Sequence, residues 1–147
     1  MRKISEVFVN GVCLAEVLEK HRKWLNGEDG REETDLRGVD LSYTDLSHVN
    51  LMGANLMGAN LRGVNLRFAN LNSANLSGTN LSGANLRDTD LSSANLNSSN
   101  LRDADLIDAD LSNADFIFRG LIIIISGILF VISYIISKQL YQKRELN

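Results

Sequence analysis

Proline is missing altogether from these 147 residues, and cysteine and tryptophan occur once each, as Cys13 and Trp24. A lone cysteine rules out an internal disulfide and leaves the redox compartment open. The two histidines, His21 and His48, stand far apart, and no His or Cys pair has the spacing of a metal site. A net charge of −3 from 15 basic and 18 acidic side chains is too near neutral to imply nucleic acid as a partner. No glycine-rich phosphate loop precedes a helix. The N-terminus, MRKISEVFVNGVCLAEVLEK, carries Glu6 early and lacks the apolar core of a cleaved export signal. No catalytic residue, metal ligand or cofactor site is therefore expected, and an enzyme is not the reading.

What the sequence does have is a period of five. In ANLMGANLRGVNLRFANL, residues 54–71, leucine returns at each fifth position, and the series runs from Leu36 to Leu111 with Phe116 in register, 17 units without a gap. Asn or Asp precedes every one of these, and Ala, Val, Thr or Ser precedes that. On a helix, five residues at about 100° each would leave successive leucines about 140° apart, circling the axis. On a strand an odd period sends alternate leucines to opposite faces. Only a chain that changes direction once per unit buries them all on one side. Asn, Asp, Ser and Gly in the remaining slots are turn residues, and the absence of proline fits a backbone whose amides are needed between stacked coils. The carboxylates Asp35, Asp40, Asp45, Asp90, Asp105, Asp110 and Asp115 share their slot with Asn, which makes them structural.

The motif small-Asn/Asp-Leu-x-x resembles the pentapeptide-repeat proteins. That resemblance covers residues 34–118 and implies an all-β solenoid, a right-handed four-sided β-helix of about four coils, roughly 20 Å long at the strand spacing of stacked β structure. Residues 20 apart should then stack. His48, Phe68, Asp88 and Asp108 would form one column beside Ser47, Arg67, Arg87 and Ile107. Arg67, Arg87, Asp88 and Asp108 are the candidate binding strip, and Met52, Met57 and Phe68, with Tyr43, a candidate apolar patch.

Two flanking segments differ. Residues 1–33 read as a capping segment with an amphipathic helix at about 11–26, in which Leu14, Val17, Leu18, His21 and Leu25 recur at helical spacing and Asn26-Gly27 supplies a stop. The expected role is to cover the first coil, since solenoid ends require capping. ISEVFV is expected to add a short strand, Trp24 and Cys13 to pack, and Lys20 to Lys23 to form a solvated basic face. Residues 119–138 read as a transmembrane helix: GLIIIISGILFVISYIIS, 120–137, is an uncharged run long enough to span about 27 Å. A polar tail follows at 139–147. Ile107, Ile117 and Phe118 are expected against lipid or a neighbouring copy, and Gly120, Ser126, Gly127, Ser133 and Ser137 offer small residues for close helix approach.

The function this implies is a non-enzymatic, membrane-anchored scaffold at a bacterial inner membrane, with the rod cytoplasmic and with lipid, a second copy and an unidentified protein as partners. An oligomerising membrane-perturbing effector is a second reading. A third resembles the members that mimic DNA and bind gyrase; against it, residues 34–118 carry 10 acidic and 5 basic side chains, with arginines interrupting any phosphate-like row.

Overall fold

The computed structural model describes residues 1–28 and 34–116. From Asp35 onward each Asn or Asp before a leucine pairs in parallel with the one 20 residues later, Asp35 with Asn55 and so on to Asn95 with Asp115. Four units therefore complete a coil, and four coils stack into a square rod. The leucines fill it. Every one from Leu36 to Leu96 is no more than 2% exposed, and the small slot, as at Ala54, Ala74 and Ala94, is sealed as well. Each such leucine contributes about 1.5–3 kcal/mol relative to exposure. Where the small slot is Thr, its buried hydroxyl returns to the backbone, as in Thr79 Oγ1 to Leu76 O at 2.8 Å and Thr89 Oγ1 to Leu66 O at 2.7 Å.

One unit explains the composition. The N–H of Ala54 donates to Leu51 O, that of Asn55 to Thr34 O, that of Leu56 to Asn75 O and that of Gly58 to Ser77 O, at 2.8–3.1 Å. The fifth, Met57 N–H, donates to the Asn55 side-chain Oδ1 at 3.3 Å. All five donors are used, so proline in any slot would remove a bond. The last contact also explains why Asn and Asp interchange: only an acceptor oxygen is required, and both have one.

Small residue, Asn/Asp and Leu form the flat side of the square; the two variable residues form its corner. Ala59 N–H donates back to Leu56 O at 3.0 Å, closing a four-residue turn around Met57 and Gly58. The second corner residue has φ between +54° and +71° at every turn from Gly38 to Asn113, while the first does not, the pattern of a type II turn.

Before the rod, a 3-10 turn at Ile4–Glu6 leads to β1 (Phe8–Val9) and β2 (Val12–Cys13), an antiparallel pair. Asn10 and Gly11 between them both have positive φ, the requirement of a tight hairpin turn. Helix α1 spans Leu14–Leu25. It starts two residues after Val12 because the hairpin takes Val12 and Cys13. ISEVFV is thus only partly strand, and the residue that pairs with the rod lies earlier. Arg2 N–H donates to Tyr43 O at 2.7 Å and Asp45 N–H to Arg2 O at 2.9 Å. Val7, Val9 and Leu14 are buried in the same core as the leucines. Among the described residues no helix is long and apolar enough to cross a membrane; the span expected at 119–138, with Ile117, Phe118, Gly120, Ser126, Gly127, Ser133 and Ser137, lies outside them.

Candidate functional site

Among the described repeats the corner side chains vary most, and the third corner carries the most chemistry. Ser47–His48, Arg67–Phe68, Arg87–Asp88 and Ile107–Asp108 stand one above another there, each 20 residues from the next. His48 and Phe68 stack, with ring centroids 5.0 Å apart and planes 22° from parallel. The Arg67 guanidinium lies 4.4 Å from the Phe68 centroid and its Nε donates to Asp88 Oδ2 at 3.3 Å. One level down, Arg87 Nη1 donates to Asp105 Oδ2 at 3.2 Å. Phe68 and Ile107 remain 45% and 52% exposed.

The side chains in the left-handed slot set this corner apart, since two of them are rings. Phe68 sits at φ +60° and His48 at +62°, the left-handed region that bulky residues avoid, whereas the equivalent first-corner residues are Gly38, Gly58, Gly78 and the small Ser98. Holding such residues there costs about 1–3 kcal/mol each. The aromatic stack returns about 0.5–1.5 kcal/mol and the exposed cation–π contact about 0.5–1 kcal/mol. Over most of these ranges the contacts return less than the two residues cost, a cost that glycine would avoid. Tyr43, at φ +54° on the second corner, is the third aromatic so placed.

Above the third corner opens a cleft of about 750 Å³ between coil one and the N-terminal segment, bordered by Lys3, Ile4, Leu18, Arg22, Ser47 and His48. Arg22 is held by Glu19, at 2.8 and 2.9 Å, and by Glu28 at 3.4 Å. The basic run on α1 is less continuous than the sequence suggests, because His21 is fully buried and stacks on Trp24 with centroids 5.5 Å apart, and Lys20 pairs with Glu16.

Electrostatics single out coil one. The Asp35 carboxyl is held down to about 2 by the Arg37 guanidinium, which bonds it at 2.6–3.0 Å. Asp40 is lowered chiefly by Ser42, through hydroxyl and backbone N–H, with help from Arg2 and from the Asn60 amide. Asp45 is lowered in the same way by Ser47 and then by Asn65. Among the described residues no group of His, Cys, Asp or Glu could hold a metal ion.

Residues 32–58, 50–88 and 84–117 match the family model described as pentapeptide repeats, in 8 copies. The chain belongs to the pentapeptide repeat family. No curated relative matches its sequence. Among solved structures it is similar to alr5209, a pentapeptide repeat protein from Nostoc Pcc 7120, at 37% identity and a TM-score of 0.60 over 69% of this chain and 78% of that one. It also matches a pentapeptide repeat protein of the Arabidopsis thaliana thylakoid lumen, at 30% identity and TM-score 0.39 over 59% of this chain and 68% of that one. HetL, involved in heterocyst differentiation regulation in Nostoc sp. strain PCC 7120, matches at 34% identity and TM-score 0.28 over 54% and 44%. The family makes the solenoid a right-handed β-helix.

On this pentapeptide-repeat rod the sequence-derived strip Arg67, Arg87, Asp88 and Asp108 falls on one corner, together with Phe68 and Ile107. Met52 and Met57 do not join them: they edge the side of Asn55, on the fourth and first corners. His48 was the residue not singled out as a binding candidate. Its sequence signal is an aromatic ring, shared only with Tyr43 and Phe68, in a slot that Gly, Ser, Asp or Asn fills in the other described repeats.

Proposed function

We propose that this pentapeptide-repeat protein is a non-enzymatic interaction rod whose third corner is its docking ridge, tethered to a bacterial membrane through residues 120–137, with segment 1–28 covering the first coil. The carrying observation is the strained aromatic stack of His48 and Phe68, exposed beside Arg67. Backbone strain of this kind persists where a binding role retains it. The tether is supported by 18 consecutive uncharged residues in the sequence, and the cover by the Arg2 bonds to Tyr43 and Asp45. The unpaired edge of a β stack otherwise invites further strands.

Phe68→Gly tests the ridge. It should raise stability by about 1 kcal/mol in thermal or denaturant unfolding while weakening association. Loss of stability instead would mean that the stack serves the fold. Removing 119–147 should release the chain from the membrane fraction under alkaline wash, and retention there would sink the tether. The same apolar run favours a second reading, a membrane-perturbing assembly, under which induced expression arrests growth only with 119–147 present.

A further inference from the structure

We infer that the third corner docks against the third corner of a second copy, the two rods standing parallel about a two-fold axis that runs along their length. This rests on the docking-ridge reading above and supplies its occupant. The ridge consists of two columns, Ser47, Arg67, Arg87 and Ile107 in the first, and His48, Phe68, Asp88 and Asp108 in the second. A two-fold along the rod brings the first column of one copy opposite the second column of the other at the same level, and every contact occurs twice.

At the third coil Arg87 then faces the other copy's Asp88, and Asp88 the other copy's Arg87. At the second coil each Arg67 meets the other copy's Phe68, extending the contact that it already makes at 4.4 Å. Asp88 has capacity for both partners. Its Oδ2 accepts from Arg67 of its own chain at 3.3 Å, and a carboxylate has lone pairs to spare on the other oxygen. At the last coil the exposed Ile107 lies opposite the other copy's Asp108, with the two Ile107 side chains diagonal to each other across the axis.

The reversed pairing fails on charge. A two-fold axis across the rods sets each column against itself with the coils in opposite order. Centred on the third coil it opposes Arg87 to Arg87 and Asp88 to Asp88; shifted by half a coil it opposes Arg67 to Arg87, or Asp88 to Asp108. Like charges in an interface select against a register. The parallel arrangement also keeps Phe116 of both copies at one end, as two chains tethered to one membrane require.

Size sets the affinity. A ridge of four coils at about 4.8 Å each buries far less than the roughly 800 Å² per partner of a stable dimer in solution. Association is therefore weak for free chains. A shared membrane offsets this by raising the effective concentration, to about the millimolar range.

The test uses the full chain with Cys13→Ser, reconstituted in lipid bilayers, carrying Ser47→Cys or Ile107→Cys and treated with a short bifunctional thiol cross-linker. Each variant alone should cross-link to itself, a mixture of the two should give no mixed product, and Ser77→Cys on the opposite corner should cross-link poorly. Arg87→Asp should reduce the yield at position 107 about tenfold, the effect of about 1.4 kcal/mol, with the melting curve little changed. A product in the mixture only, or equal yield at position 77, overturns the parallel pair. The same variants are treated in membranes of the expressing cell: cross-linking at 107 to another protein there, and never to itself in either setting, overturns this inference and leaves the docking ridge standing; no cross-link of either kind in either setting overturns both.

Discussion

The first and third corners are built on the same backbone and the same leucine core, yet one places Gly38, Gly58, Gly78 and Ser98 in the left-handed slot and the other His48, Phe68, Asp88 and Asp108. Since the coil keeps the same path with either set, the contrast separates what architecture requires from what it tolerates at a cost. Glycine is the low-cost solution to a positive φ. Where an aromatic ring takes its place, as at Tyr43, His48 and Phe68, the turn itself does not call for it.

The largest effect should come from what both corners share. Leu71→Ala, in a fully buried slot, should cost about 2–5 kcal/mol, read from denaturant unfolding, whereas Met52→Ala at an exposed corner should stay within about 0.5 kcal/mol. A small effect at Leu71 would mean that the core is not the common support. Next come exchanges within the left-handed slot. Gly58→Phe on the first corner should destabilise by about 1 kcal/mol, the mirror of Phe68→Gly on the third. Gly63→Ala on the second corner should cost more than Gly58→Ala. A Cβ at Gly63 would lie 2.6 Å from the Tyr43 ring, while one at Gly58 meets nothing within 4 Å. Equal costs would show that the Tyr43 ring moves freely.

The smallest effect is acid sensitivity of coil one. Asp35 is depressed from 3.8 to about 2, and Asp40 and Asp45 are lowered in the same direction. A carboxylate whose folded value lies below its unfolded one adds stability that is present above about pH 4 and disappears as pH falls toward 2. Between those values, hydrogen exchange should quicken around Leu36 to Leu46 before it does around Leu76 to Leu86. Uniform quickening along the rod would contradict this. Because these carboxyls are exposed, solvent screening keeps the change slight.

Much of this was legible in the sequence, for physical reasons. A period of five that fits neither helix nor strand forces one bend per unit, and interchange of Asn and Asp marks a slot that needs only an acceptor. The backbone conformation inside the bend was not legible. The letters separate the two variable residues from the three that form the side, but not which of the two is left-handed, because Gly, Ser, Asp and Phe all occur at that position. The ridge was therefore foreseen as a column of Arg and Asp but not as a strained one. At the N-terminus, Asn10-Gly11 between Val9 and Val12 was a hairpin signal hidden by the helical periodicity that follows it. The pairing of Arg2 with the rod had no local signature, since a single bridge leaves no repeating pattern.

The closed accounting of amides within each unit has a consequence for how such a chain can lengthen. Duplicating 20 residues adds a coil in which each donor finds the same kind of acceptor, so every ridge continues straight. Duplicating five preserves the bonding equally well but turns everything downstream by a quarter, dealing the third corner's residues onto its neighbour. Growth in whole coils keeps a surface intact; growth in single units scrambles it while the core stays unaware.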